Sequence, residues 1–513
     1  MRIIPPWLFG LCLFVLLQGC AGVPFDYPKT ASTHHPASAH THWGAIDVAW
    51  EEQHGAESGF IGLGHGIDGL GARLRLMERA EATIDAQYFI LKKDLAGTLF
   101  AGELLRAADR GVRVRLLVDD IFSPGVDAPF TLLDRHHNIE VRIFNPVARG
   151  GPRYWNYVWD FRRANRRMHN KSFIVDNAMA VVGGRNIGEE YFELDQNVRF
   201  DDFEVLAIGP IVDAVSDGFD QYWNSDLSVP MRAFDLDADV AELDEWRTWM
   251  RDKITGEGEQ DNVFWRAIES DLMSRIASGE RHFVAAPATM VADPPDKLQA
   301  EVGDRDLTLL ANELARRFRA AREEIVIITP YFIPQETGVT LFEELLAKGI
   351  RVMIITNSLA STNHVPVYAG YRRYRDRLLR AGAEMYEVRP DVLTVENAFG
   401  LNPAHNTLHS KFTIVDRSSI FVGSLNFDPR SIFINSEMGL FIESSSKAEA
   451  LMSEVETELD RSLYRLDLDD QGRLRWTYQD GEREVVLTHS PQTSWWRRLQ
   501  ARFYAMLPIE DQL

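Results

Sequence analysis

The sequence predicts an α/β protein made of two pseudo-symmetric lobes, and three observations lead there. First, nearly the same text occurs twice: "RRMHNKSFIVDNAMAVVGGRNIG" over 166–188 and "TLHSKFTIVDRSSIFVGSLNFD" over 407–428. Second, the same succession of strand-like and amphipathic helix-like runs precedes each copy. "ATIDAQYFIL", "TLFAGELLRAADRG" and "VRVRLLVDD" lead to the first; "EEIVIITPYFIP", "VTLFEELLAKG" and "IRVMIITNS" lead to the second. Such alternation marks an α/β domain. Third, 513 residues with 45% apolar content exceed one ordinary domain and suffice for a sizeable core. The distance from His169 to His409 is far longer than a solenoid unit, so a whole domain is duplicated.

Taken in order, the chain starts "MRIIPPWLFGLCLFVLLQGCAG". One Arg precedes an apolar run from Trp7 to Leu17, too short for a membrane span and suited to a signal peptide over 1–19. The run ends in Leu17-Gln18-Gly19-Cys20, which resembles a bacterial lipobox and implies cleavage before Cys20 and lipidation of its thiol. Several acyl chains on one residue anchor stably where a single chain is marginal. Ala21 after the cysteine resembles an outer-membrane sorting signal more than an inner-membrane one. The expectation is an envelope lipoprotein at the periplasmic face of the outer membrane, with the inner membrane as the alternative. Cys12 would leave with the signal, so the body has no disulfide framework.

Residues 20–69 are rich in Ala, Ser, Thr, His, Gly and Pro and read as a lipidated tether. His34, His35, His40 and His42 stand among Ala and Pro that build no rigid metal site. The first lobe is placed at 70–235 and the second at 285–465, with Gly111 and Gly349 at helix C-terminal caps. Between them, 236–284 reads as an acidic helical connector. In the tail, 466–513, "SWWRRLQARFYAMLPIEDQL" combines aromatics with arginines. It suits a membrane interface or a helix docked on the body.

The motif itself carries chemistry. On a strand, residues two apart share a face, so His169 and Lys171 point together, as do His409 and Lys411. Asp176 and Asp416 have the opposite parity and stand at turns, where they would hold the hairpin by local hydrogen bonds. Gly183-Gly184 and Gly423-Ser424 would let backbone approach a ligand closely. Asn186 and Asn426 follow, each with an amide able to donate to a phosphoryl oxygen. Further on, "FDDFEVLAIG" and "NSEMGLFIES" correspond and set Asp202 opposite Glu437. A carboxylate of this kind can orient an imidazole and stabilise its protonated form.

With the halves face to face, two imidazoles, two ammonium groups and two amides converge, an inventory suited to a phosphodiester. One His can attack phosphorus to give a covalent phosphoryl-His. The other can protonate the departing alkoxide and then deprotonate the acceptor. The lysines and asparagines would stabilise charge on the non-bridging oxygens. Protein cations then occupy the place of a metal, and none is required.

These residues resemble the paired H-x-K-x4-D signatures of the phospholipase D superfamily, with its G-[GS]-x-N extension. The likeness spans 70 to 465. "RRMHNKSFIVD", "VGGRNIGEEYF" and "GSLNFDPRS" are most similar to bacterial cardiolipin synthases, best the C type. The resemblance implies two lobes, each a mixed sheet flanked by helices, sharing one active site, with ping-pong phosphatidyl transfer and neither metal nor cofactor. It carries motif membership onto His169, Lys171, Asp176, His409, Lys411 and Asp416. It assigns His169 as nucleophile and His409 as general acid, while the pseudo-symmetry permits the reverse. The implied substrates are membrane phospholipids: phosphatidylglycerol, with phosphatidylethanolamine as a further candidate. Hydrolysis to phosphatidic acid is the competing activity; a nuclease or an inactive lipid-binding lipoprotein are more distant ones.

A formal charge of −21 disfavours general attraction to polyanions, so nucleic acid is not expected and an anionic headgroup needs a local basic site. Arg162, Arg163, Arg166 and Arg167 precede the first His, and a second cluster runs from Arg372 to Arg380. The first suits headgroup contact; the second reads as a solvated helix face. Tyr154, Trp155, Tyr157 and Trp159 suit an acyl-chain entrance or core packing.

Overall fold

Runs such as "RVRLLVD" (Arg113–Asp119) and "RVMIITN" (Arg351–Asn357) are apolar almost continuously because they are parallel strands, covered on both faces. They lie inside two large mixed sheets. The computed structural model describes residues 22–121, 125–149, 153–195, 197–255, 262–391 and 405–513. The signal 1–19 and Cys20 lie outside the described residues.

Among the described residues the first sheet has nine strands and the second ten, and a run of six is shared. In the first lobe this run is Glu204–Ile208, Met179–Gly183, Ser172–Val175, Thr83–Tyr88, Arg113–Asp119 and Ile139–Phe144. In the second it is Met438–Glu443, Ser419–Gly423, Phe412–Val415, Glu324–Ile328, Arg351–Asn357 and Glu384–Val388. Neighbours are antiparallel up to the fourth strand and parallel beyond it in both sheets. The lobes meet through a shared apolar layer in which Val182 and Val205 pack with Val326, Val422 and Leu440 and with the helix Ile211–Trp223. Each lobe keeps its own core on the far side of its sheet.

The tether expected over 20–69 is corrected. A helix, His42–His54, and a strand, Ser58–Leu63, belong to the first lobe, the strand pairing antiparallel with Glu204–Ile208. Upstream residues are pinned as well. Lys29 Nζ donates to the carbonyls of Ser225 and Ser228, and His34 binds Asp220 through both its backbone N–H and Nδ1. Long-range pairing supplies what local composition does not show. In the segment 236–284, helices Glu242–Thr255, Val263–Ile268 and Asp271–Ala277 pack on the first lobe. The chain crosses between sheets at Pro287: Val284–Ala286 pairs in the first and Ala288–Ala292 in the second.

The tail is likewise part of the body. Leu463–Leu468, Leu474–Asp480 and Arg483–Leu487 extend the second sheet, and helix Trp495–Ala505 docks on helix Val365–Ala381.

Candidate active site

Each motif strand is central in its sheet and runs into a tight turn. Asp176 and Asn177 have φ of 53° and 51°, and Asp416 and Arg417 have 50° and 46°. Such a left-handed pair matches the twist of a hairpin, and Asp tolerates it. The Asp176 carboxylate accepts from the N–H groups of Glu81, Ala82 and Thr83; Asp416 does the same for Arg322, Glu323 and Glu324. Both aspartates therefore clamp the motif hairpin to the neighbouring strand, at the end away from the histidines.

At the other end the lobes interlock. His169 N–H donates to Ser436 O at 3.0 Å, and His409 N–H donates to Asp201 O at 2.7 Å. The short strands Val198–Asp201 and His405–Leu408 pair in parallel across the boundary. These bridges set each histidine beside an acid of the opposite lobe. His169 Nδ1 lies 2.8 Å from Glu437 Oε2, and His409 Nδ1 lies 2.5 Å from Asp202 Oδ2. Both rings and both acids are buried. With Nδ1 beside a carboxylate, Nε2 is the nitrogen left to react at His169; at His409 the Lys411 Nζ lies 2.9 Å from Nδ1 and 3.3 Å from Nε2.

Burial, with the ammonium groups of Lys171 and then Lys411, holds the His169 imidazole well below its usual range. His409 is pushed down to about 3, chiefly by burial and by Lys411, against the opposing pull of Asp202. Burial also lowers Lys171 to about 7 and Lys411 to about 8. The acids differ. Burial raises Glu437 to about 7, whereas for Asp202 the raising effect of burial is outweighed by Lys411 and His409, which hold it below the carboxylate range. An incoming phosphodiester anion would restore charge to the lysines and rings, because it supplies the opposite charge that the empty site lacks.

The other predicted ligands divide. At Gly184 a Cβ would stand 2.2 Å from Asp202 Oδ1, so the glycine makes room for the acid. Ser424 Oγ donates to Glu437 Oε2 at 2.5 Å, and the Gly184 and Ser424 N–H groups donate to the carbonyls of Phe203 and Met438. Gly184 and Ser424, expected beside a phosphate, here seat the two acids. Asn186 is also committed, accepting from Ile90 N–H and donating to the Tyr191 hydroxyl. Asn426 is different, because its Oδ1 is buried with no hydrogen-bond partner.

The first arginine cluster is structural as well. Arg162 pairs with Glu301, Arg163 with Asp160, Arg166 with the Ala300 carbonyl and Arg167 with Asp119. In the second cluster Arg373, Arg375 and Arg377 pair with Glu510, Glu387 and Glu343. Trp155 and Trp159 are exposed and Tyr157 is half-buried, while the Tyr154 side chain lies outside the described residues.

Sequence reasoning missed the aromatic walls. Phe89 meets the His169 ring edge-on at 4.8 Å, Phe200 stacks on His409 at 5.1 Å, and Tyr191 meets His409 edge-on at 5.3 Å. Asp119, which accepts from Met168 N–H, was also missed. Its place at the end of a buried strand was the available signal.

The family model for the cardiolipin synthase, PLD-like domain matches the chain twice, over 74–223 and 314–463. The chain is 38% identical over 470 residues to cardiolipin synthase C of Escherichia coli (strain K12), covering 89% of this chain and 97% of that protein. It is 31% identical over 502 residues to an uncharacterized protein of Helicobacter pylori, covering 96% and 97%. The crystal structure of phosphatidylserine synthase from Haemophilus influenzae Rd KW20 superposes with a TM-score of 0.56 over 91% of this chain and 99% of that one. At 15% identity, that is a likeness of fold. Matched twice by one model and along nearly its whole length by a cardiolipin synthase, the chain belongs to the cardiolipin synthase family of phospholipase D-like proteins.

Proposed function

We propose that the protein is a phosphatidyltransferase that makes cardiolipin from phosphatidylglycerol. The observation that carries this reading is the crossed pairing of two buried imidazoles with two buried acids at the lobe boundary. Its similarity to cardiolipin synthase C supports the choice of substrate.

In the first step His169 Nε2 attacks the phosphorus of one phosphatidylglycerol. The P–O bond to the departing glycerol breaks as His409, protonated once the anion is bound, gives that oxygen its proton. The covalent phosphatidyl-His169 remains. In the second step the neutral His409 takes the hydroxyl proton of an acceptor phosphatidylglycerol as its oxygen attacks phosphorus. The P–N bond breaks and His169 is restored. Lys171, Lys411 and the amide of Asn426 meet the non-bridging oxygens. Asp202, whose carboxyl is held down by Lys411 and His409, supports an imidazolium at His409 better than Glu437, whose carboxyl burial raises, supports one at His169. That difference favours His409 as the proton carrier and His169 as the nucleophile. Phosphatidylethanolamine is a further candidate for the partner lipid.

We place the protein in the cell envelope, anchored through Cys20 at the periplasmic face of the outer membrane. No described helix is long and apolar enough to cross a bilayer.

Purified protein given phosphatidylglycerol labelled in its head-group glycerol should release free glycerol and form cardiolipin in equal amounts. Phosphatidic acid as the sole lipid product would replace the transferase with a hydrolase.

A further inference from the structure

Nine of the fifteen large apolar side chains exposed among the described residues fall in two short stretches. One is helix Trp495–Ala505 with the residue that caps it. At 100° per residue, Trp495, Trp496, Leu499, Phe503 and Met506 fall within an arc of about 100°. All five are between 44% and 74% exposed. Ala501, on the opposite side, is fully buried against the second lobe. The other stretch holds Trp155, Val158, Trp159 and Phe161, on the short helices Asn156–Trp159 and Phe161–Ala164 and the residue before them. These are 45% to 70% exposed, and the two indoles stack with centroids 6.3 Å apart.

The two stretches come from different lobes, and the residues that follow each of them meet. Asn165 Nδ2 donates to Gln512 Oε1 at 2.8 Å, and Arg430 clasps both neighbours, donating to Asn165 Oδ1 and to the Gln512 carbonyl. Each stretch also lies near a segment that leads to a histidine. Asn165 lies four residues before His169. Arg497 donates to the carbonyls of Leu359 and Thr362, and Ser361 between them accepts from Thr407 Oγ1, two residues before His409.

Charge identifies the occupant. The chain carries −21, so its overall field opposes an anionic surface. The helix Trp495–Ala505 reverses this locally, with Arg497, Arg498 and Arg502 and no acid. Arg498 bonds Thr493 rather than a carboxylate, so its charge is not neutralised. An aromatic face flanked by arginines is the chemistry of an anionic lipid interface.

We propose that the two aromatic stretches form one docking face for an anionic phospholipid bilayer, bridging the lobes beside the segments that lead to His169 and His409. The inference rests on the site being lipid-directed, but its test needs no turnover.

Bromine on acyl chains quenches only tryptophans that enter the bilayer. Full-length protein should therefore lose fluorescence on vesicles of brominated phosphatidylglycerol and phosphatidylcholine, and not on unbrominated ones. Trp155→Ser with Trp159→Ser, and Trp495→Ser with Trp496→Ser, should each remove part of the quenching, and all four together most of it. Arg498→Gln with Arg502→Gln should weaken binding severalfold only where phosphatidylglycerol is present. Met506→Glu, on the most exposed of these side chains, should weaken binding in a chain that melts at the wild-type temperature.

Unchanged quenching in the four-site variant overturns the proposal, as does a lack of quenching in the wild type. Sedimentation showing a dimer that these substitutions dissociate assigns the face to a second copy and also overturns it. A chain that makes cardiolipin in detergent but is not quenched defeats the docking face alone. One that is quenched but inactive leaves the docking face standing and defeats the proposed reaction.

Discussion

Glu437 Oε2 stands 2.8 Å from His169 Nδ1, so an acid of the second lobe orients the ring of the first; Asp202 returns the arrangement at His409. Glu437→Gln and Asp202→Asn keep the shape of each pair but not its charge. Each should lower kcat by roughly 10³–10⁴-fold with little change in KM. Steady-state assays on phosphatidylglycerol check this, with melting curves to show that both variants fold.

The two rings can be told apart by leaving group. A p-nitrophenyl ester of phosphatidic acid departs without protonation, so His409→Ala should still give a burst of nitrophenol and trap phosphatidyl-His169. His169→Ala should give no burst. Mass spectrometry of the trapped peptide reads the assignment, and a label found on His409 would exchange the two roles.

At Gly184 an added methyl would stand 2.2 Å from Asp202 Oδ1. Gly184→Ala should displace that carboxylate and reduce turnover by at least about 100-fold. Ser424→Ala removes one hydrogen bond to Glu437 and should cost roughly 10-fold, near 1.4 kcal/mol. Side-by-side kcat values test the order.

Lys171 is lowered to about 7 and Lys411 to about 8 from an ordinary 10.5, chiefly by burial. From those values up to 10.5 the unfolded chain binds more protons than the native one. These lysines therefore make stability rise with pH across that window. Lys171→Met with Lys411→Met removes this contribution. The melting-temperature difference, variant minus wild type, should be positive at pH 7 and shrink toward pH 10.

Asp176 satisfies three backbone donors from a buried position, and Asp416 does so from a half-exposed one. Asp176→Asn should lower unfolding stability by about 2–3 kcal/mol, and Asp416→Asn by less. Activity per folded molecule should survive in both. Denaturant unfolding beside an active-site titration separates the effects.

The hairpins and their H-x-K pairs were legible because strand period and turn chemistry are local. Asp202 and Glu437 were legible because the copies align. Which ring each acid serves was not, since the partner lies in the other lobe. The segment "HWGAIDVAWEEQH" looked like linker because it buries little beyond Gly44 and Asp47; its place is set by the docking of Trp43 and by the strand that follows it. The arginines before His169 looked free for headgroups, yet carbonyls and acids distant in sequence take them. Even the repeated Tyr-Phe-Ile triplets mislead. Ile187 N–H binds Ile90 O while Phe427 N–H binds Tyr331 O, so Ile90 is equivalent to Tyr331 and the triplets are offset by two residues.

Asn186 is tied down while its counterpart Asn426 keeps an unpartnered carbonyl oxygen. A homodimer of identical halves would have to spell both stations with one text. Joining the copies in tandem lets each station specialise, as the proposed split between nucleophile and proton carrier requires. Because ring and acid are exchanged between the copies, damage to either copy disables both stations at once, and neither can be discarded.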